Sequence, residues 1–325
     1  MVRFFASDIL PFIAGAIAPE WFLRLSKPVV IYPFYHTVSD EYLPHIHPLY
    51  KPKTAKAFGK DIEFLSRYFD AVTIDAEKLT KHAFHLSFDD GLRGVYETVC
   101  PLLFRKGIPA TVFINSDFVD NRRLFYRHKA ALLIDKLTKQ PVSKAVQKEI
   151  STGLGIHFSP KHSLQANIRQ LPYLEKNRLD TLATLLEVDF QLYLKKNRPY
   201  LTTSELKEMQ GKGFAIGAHS IDHPPYSELD ETEQIRQTVE SCNYVKENFR
   251  EKRAYFSFPF SDEGISGSFF EAVAGKVDLS FGITGIHFQN RGKHAGRIDM
   301  EKNGRNAREI INKAFLKYKI NSLHI

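Results

Sequence analysis

The strongest constraint on what this chain can fold into is an alternation. Short apolar runs take turns with segments whose apolar residues recur every three or four positions. Val29 to Tyr35 reads as a strand, and Phe58, Ile62, Leu65 and Phe69 then share one face of a helix. Ala71 to Ile74 and Phe84 to Phe88 read as further strands. Val95, Val99 and Leu102 mark a helix that Gly107 can stop, and Ala110 to Asn115 is strand again. The rhythm resumes at Thr202-Thr203-Ser204-Glu205, the spacing of a capping box that opens a helix. Phe214 to Ala218 follows as a strand, then a long amphipathic helix through Ile235, Val239, Cys242, Val245 and Phe249. Tyr255 to Phe258, Leu279 to Thr284 and a last helix around Ile310 to Tyr318 complete the series. Parallel strands need crossover connections, which helices supply while covering the sheet. The alternation therefore implies an α/β protein with a mainly parallel sheet, either closed as a barrel or open and doubly wound.

Between residues 121 and about 200 the alternation lapses. The segment is rich in Leu, Lys, Gln and Asn without a strong strand, and is expected to be a helical insertion. The stretch Phe4 to Leu23 is apolar but interrupted by Asp8 and Pro11. Residues 1–27 are accordingly expected to form an apolar helical segment lying on the body, which spans 28–325. Trp21, Phe22 and Arg24 could give residues 4–25 a peripheral membrane contact, and the expected location is cytoplasmic. No apolar run reaches the roughly 20 residues of a membrane span. Cys100 and Cys242 are the only cysteines, which excludes a disulfide framework and a thiolate zinc site. The net charge of +8 is scattered; it suits anionic partners without selecting one, and nucleic acid is not expected.

Unusual polar residues collect at two strand ends. Ser87-Phe88-Asp89-Asp90-Gly91 follows an apolar strand directly. Two adjacent carboxylates repel each other, and a nearby positive centre such as a divalent metal favours keeping both ionised. Taken alone, an acidic turn in which Asp90 caps the next helix is the blander account. His219-Ser220-Ile221-Asp222-His223 also follows an apolar strand. Histidines four apart share a face if the segment makes a helical turn, and Pro224 and Pro225 would keep that turn short. Parallel α/β sheets gather their sites at the C-terminal ends of strands. Two imidazoles and one carboxylate would leave coordination positions open for water and substrate, as catalysis requires.

These two strings resemble the T-F-D-D-G and H-S-x-x-H motifs of the NodB-homology polysaccharide deacetylases, carbohydrate esterase family four. The resemblance runs from about residue 29 to 120 and resumes from about 200 to 300. It implies a distorted (β/α) barrel and a metal-dependent hydrolase removing N-acetyl groups from an amino-sugar-containing saccharide. It also implies that Asp89 is the catalytic base and that Asp90, His219 and His223 hold the metal. Zinc is the expected ion, with nickel, cobalt or iron as substitutes. The insertion joins a strand end to the helix before the next strand. It is therefore expected on the active-site face, with Tyr126 and Arg127 as candidate sugar contacts.

The chain departs from the family pattern in three places. Phe256-Ser257-Phe258-Pro259-Phe260 stands where the family has an Arg-containing segment, and is similar to the variant of the poly-N-acetylglucosamine deacetylase branch. Ser257 falls at the place of the Arg that tethers the base, so the tether is missing from the motif. The Phe260 backbone N–H is the implied oxyanion donor. Leu279-Ser280-Phe281 replaces a Trp-containing motif and leaves an apolar wall. No leucine–histidine motif follows on a well-defined strand. His324 matches that short motif but stands where chain ends fray. Tyr35-His36-Thr37-Val38 resembles the start of the circularly permuted branch, which makes His36 the expected general acid, with Asp299 as the candidate carboxylate beside it.

Two other classes compete. A deacetylase-like protein that binds glycan with little or no turnover is motivated by Ser257 at the Arg position. A non-haem iron oxygenase also uses two histidines and a carboxylate, but usually on antiparallel β-sandwiches, whereas the alternation here is β/α.

Overall fold

The computed structural model describes residues 28–76, 79–154, 163–289, 293–302 and 304–322. The expected helical segment at 1–27 and His324 lie outside the described residues. Among the described residues there are twelve strands: β1 (Val30–Ile31), β2 (Pro33–Tyr35), β3 (Asp70–Ala71), β4 (Ala83–Phe84), β5 (Leu86–Phe88), β6 (Ala110–Ile114), β7 (Phe214–Ala218), β8 (Tyr255–Ser257), β9 (Leu279–Gly282), β10 (Phe288–Gln289), β11 (His294–Gly296) and β12 (Ile298–Asp299). In the main sheet β11, β9, β8, β7, β6, β5, β2 and β12 lie side by side and parallel, and β10 adds an antiparallel edge.

The two ends of that row are neighbours in the chain. β11 pairs with β9, with Gly296 opposite Gly282, and β12 pairs with β2, with Ile298 opposite Pro33. Only Arg297 separates them. Its N–H donates to the Gly282 carbonyl at 3.0 Å, and the next N–H, from Ile298, donates to Tyr32 at 2.9 Å. One short segment thus stitches both edges together and closes a nearly complete eight-stranded parallel barrel. The doubly wound alternative is thereby excluded.

The runs read as single strands at Val29–Tyr35 and Phe84–Phe88 are each interrupted, at Tyr32 and His85. β1 pairs with β4 and β2 with β5 in one continuous register, with β3 flanking the lower half and β12 and β6 the upper. The helix expected from Val95 opens with a π-helical turn, Val95–Val99, and continues as Cys100–Lys106, with Pro101 in its first turn. Gly107 ends it at φ 64°, the left-handed conformation that a residue without Cβ adopts freely. The capping box at Thr202 and Glu205 is formed in both directions.

Buried on both faces, the barrel strands are nearly continuous apolar runs. Toward its base the interior is filled by rings, with Tyr32 and Phe113 against Phe281 at centroid distances of 5.1 and 5.6 Å. Toward the C-terminal ends the contents turn polar, to Ser87, Asp89, Ser257 and Arg297, all buried. Between β6 and β7 the chain inserts helices Tyr126–Lys139, Lys144–Leu154, Leu164–Gln170, Arg178–Leu185 and Phe190–Asn197. These bury their own apolar cluster, including Leu133, Ile150, Ile168 and Leu179. No helix among the described residues is long and apolar enough to cross a membrane.

Candidate active site

Asp89 and Asp90 stand just past β5, which ends at Phe88. The Asp89 N–H donates to the Tyr35 carbonyl at 2.9 Å, so the next residue along, His36, starts at the same level of the barrel rim. Asp90 has φ 68°, a left-handed conformation that costs a non-glycine residue roughly 1 kcal/mol or more and turns adjacent carboxylates in different directions.

Asp89 faces into the barrel. Arg297 grips it with two parallel bonds, Nη1 to Oδ1 and Nη2 to Oδ2, each 2.7 Å. The guanidinium also donates to the Ser87 hydroxyl at 3.2 Å and the Ser257 hydroxyl at 2.6 Å, and lies 4.2 Å from the Phe34 ring centre. Arg297 is 1% exposed. Burial pushes the Asp89 carboxyl up, but Arg297 and then His219 pull it down further and hold it below the ordinary carboxylate range. The tether missing from the Ser257 position therefore arrives from the closing strand. The small serine leaves space for the guanidinium and accepts a bond from it.

Asp90 turns toward the two histidines. Its Oδ1 lies 3.0 Å from His223 Nε2 and 3.6 Å from His219 Nε2, and has no hydrogen-bond donor among the described residues. His219 Nδ1 lies 2.7 Å from the Ser257 carbonyl, so that nitrogen carries the ring proton and leaves the Nε2 lone pair facing Asp90. Burial lowers His219 to about 4, which keeps the ring neutral. Burial opposes the charge on Asp90, but His223 and then His36 and His219 hold it well below the usual range. Three buried ligand atoms thus meet within 4.8 Å of one another, with one carboxylate oxygen lacking a donor. Atoms sharing one ion at about 2.0–2.1 Å stand roughly 3–3.5 Å apart, so this set fits a divalent metal.

The histidines do not converge by a helical turn. Residues 219–223 are irregular, with Ser220 at φ 68° and His223 at φ 60°. The Ser220 hydroxyl accepts the His223 N–H at 3.0 Å, and the Asn115 amide donates to the His219 carbonyl. Two left-handed residues and these polar ties perform the convergence that the four-residue spacing suggested a helix would.

His36 follows β2 with 29% of its side chain exposed. Its Nδ1 lies 2.5 Å from Glu301 Oε2, and the same oxygen accepts its backbone N–H at 3.1 Å. Burial alone would lower this imidazole, but Glu301, with Asp90 and Asp89 behind it, raises it to about 10. The carboxylate partner is therefore Glu301 and not Asp299, whose Oδ1 instead accepts the Glu301 N–H at 2.9 Å.

Asp89, Asp90, His219, His223 and His36 line one cavity of about 430 Å³, together with Phe125, Arg127, Arg169, Phe260 and Lys302. Phe260 is 41% exposed at φ 58°, with its ring 4.6 Å from His223 and its N–H free of backbone hydrogen bonds among the described residues. Behind it Asp262 bonds His294 at 3.1 Å and the Ile283 N–H at 3.0 Å, which anchors this loop to the barrel. The Asp262 carboxylate packs where a Cβ on Gly282 would sit. From the insertion, Phe125 lies against His223 at 4.4 Å and Arg127 lines the cavity. Tyr126 does not. It is buried beside a neighbouring cavity of about 640 Å³, its hydroxyl without a partner among the described residues, so of the two candidate sugar contacts only Arg127 lines the cavity that holds the site. The motifs did not point to Arg297, Glu301, Arg169 or Lys302.

A closed parallel barrel whose acids and imidazoles gather at the C-terminal strand ends is the architecture of a (β/α)-barrel enzyme. Residues 76–274 match the family model described as polysaccharide deacetylase, and the chain belongs to that family. No curated protein matches the sequence. Among solved structures, the Streptococcus pyogenes deacetylase PplD, in complex with acetate, aligns with a TM-score of 0.57 at 12% identity, over 89% of this chain and 99% of that one. IcaB from Ammonifex degensii aligns with a TM-score of 0.55 at 13% identity, over 89% and 99%. A de-N-acetylase from Aggregatibacter actinomycetemcomitans gives 0.50 at 15%, over 86% and 97%. At these identities the likeness is one of fold. The family match leaves out β2 and β12, and with them His36 and Arg297.

Proposed function

We propose that this deacetylase is a metal-dependent hydrolase removing N-acetyl groups from an amino-sugar-containing saccharide. The observation that carries the reading is the division of labour between adjacent carboxylates. Asp89 is oriented by Arg297, while Asp90 offers an undonated oxygen to two imidazole nitrogens. Asp90, His219 and His223 would hold the ion, zinc by ligand preference. When bound, it would polarise the acetyl carbonyl and lower the pKa of water in the site.

Asp89 is ionised at neutral pH and takes the proton of the attacking water as general base. Arg297 keeps the carboxylate oriented and charged. The Phe260 backbone N–H, which makes no backbone hydrogen bond among the described residues, is the donor assigned here to the developing oxyanion. His36, held protonated by Glu301, gives its proton to the departing amine. Phe125 and Phe260 flank His223 and exclude water around it, which strengthens each of these polar contacts. The case for a binder without turnover rested on the absent tether, and Arg297 removes that ground.

The test is acetate release from N-acetylglucosamine oligomers by protein freed of metal with a chelator, then titrated with zinc. Release that is absent without metal and saturates near one ion per chain supports the reading. Equal release with and without chelator overturns it.

A further inference from the structure

The cavity that holds the site is charged in a way the deacetylation chemistry does not require. Three cations line it beyond the reacting groups: Arg127, Arg169 and Lys302. None has a carboxylate within 4 Å among the described residues, although this chain pairs many of its exposed cations, including Arg123, Lys129 and Lys176. The cavity acids do not pair with them: Asp89 is gripped by Arg297, Asp90 lies against the imidazoles, and Asp299 accepts the Glu301 N–H, with no ion pair from Arg127, Arg169 or Lys302 to any of these acids among the described residues.

Arg127 is also held in place. Its Nη1 donates to the Arg169 carbonyl, and its guanidinium lies 4.8 Å from the Tyr126 ring centre and 5.9 Å from that of Phe260. It stands in the first turn of helix Tyr126–Lys139, which carries no acidic residue there and no side-chain cap. A cation at that end opposes the helix dipole, and a bound anion would relieve it. A fixed guanidinium fork aimed into a cavity suits a phosphate or carboxylate.

We propose that Arg127, Arg169 and Lys302 form an anion subsite, so that the substrate is a saccharide bearing a phosphate or carboxylate close to its acetamido group. This rests on the deacetylase reading for its substrate, but the subsite binds whether or not turnover follows.

Two measurements separate the claims. The first is calorimetric binding of N-acetylglucosamine 1-phosphate, glucuronate and neutral N-acetylglucosamine to the metal-free full chain. The second is kcat/KM for acetate release by the zinc-loaded chain from an N-acetylglucosamine oligomer and its 1-phosphate. The anionic sugar should bind more tightly than the neutral one, with a salt-dependent affinity. The Arg127→Gln, Arg169→Gln double variant should lower that preference about tenfold or more, the scale of a lost charge-assisted bond. Its melting temperature, compared with wild type, reports folding, and Lys302→Gln, on an exposed side chain, provides a second variant. Preference for the phosphorylated or the glucuronate ligand identifies which anion is meant, and either supports the subsite. Binding of the anionic sugar that depends on Arg127 without any acetate release would overturn the deacetylase reading and keep the subsite. Acetate release with no preference for the charged oligomer, or a preference untouched by the variants, overturns the subsite alone.

Discussion

Replacing Arg297 by Ala removes the fork from a carboxylate that stays buried. The wild-type pair makes two 2.7 Å bonds at 1% and 3% side-chain exposure, so solvent cannot substitute for the guanidinium. Deleting one partner of such a pair costs about 3–5 kcal/mol, because the survivor is left charged and dry. With an unfolding entropy of about 0.7 kcal/mol/K for a chain of this length, the melting temperature should fall by roughly 4–7 °C. The sign of the pH dependence should also change. In the native protein Asp89 is held below the ordinary carboxylate range, so it adds stability that is complete above about pH 4 and lost as pH falls through its lowered value. In Arg297→Ala burial dominates and raises the carboxyl above its unfolded value. Stability is then lost as pH rises through the new value, and the acid limb of kcat/KM moves upward. Thermal melts and acetate release across pH 4–9 read both effects, with turnover at pH 7 down about 10²–10⁴-fold. Arg297→Lys, which keeps charge without the fork, should fall between. If Arg297→Ala melts within a degree of wild type and keeps its acid limb, Arg297 does not orient the base.

Three further outcomes are expected. His36→Ala should retain metal and fold but lose about 10²–10⁴-fold in turnover, the usual worth of a positioned acid; loss of less than fivefold would remove it from that role. Glu301→Gln should move the alkaline limb of the rate profile downward, because Glu301 raises His36 to about 10 and the proton is otherwise lost only through that value. Away from the site, Asp61 on helix Ala55–Tyr68 accepts from Lys53 Nζ at 2.8 Å and from the Ala307 N–H at 2.8 Å, tying the start of the last helix to that helix. Asp61→Ala leaves the buried ammonium unpaired and should cost about 3–5 kcal/mol in urea unfolding.

What was legible in the sequence was local. An apolar run followed at once by two aspartates, or by two histidines and two prolines, contrasts sharply with its neighbours, so both strand ends were visible. The closing strand was not. β11 and β12 contain three and two residues, too few for a period, and Arg297 sits between them in Ala295-Gly296-Arg297-Ile298-Asp299 like any surface arginine. Its role exists only once closure brings it to residues 208 and 40 positions away. Glu301 is hidden in the same way, 265 positions from His36. Tyr126 and Arg127 show the limit of residue type as a guide. Successive helical residues point about 100° apart, so one faces the site while the other fills a separate cavity, and only packing decides which. The histidine pair was found for its spacing, yet left-handed backbone at Ser220 and His223, rather than a helical turn, brings it together.

The central claim is that two neighbouring carboxylates have separate duties, and metal content measured alongside turnover tests it most directly. Asp89→Asn and Asp90→Asn change one atom each and keep side-chain volume. Both proteins would be purified in zinc, dialysed, and analysed for metal per chain and for acetate release. Asp89→Asn should keep about one ion per chain with turnover reduced roughly 10²-fold or more, while Asp90→Asn should lose the ion. Loss of metal from Asp89→Asn, or undiminished turnover by it, would contradict the account.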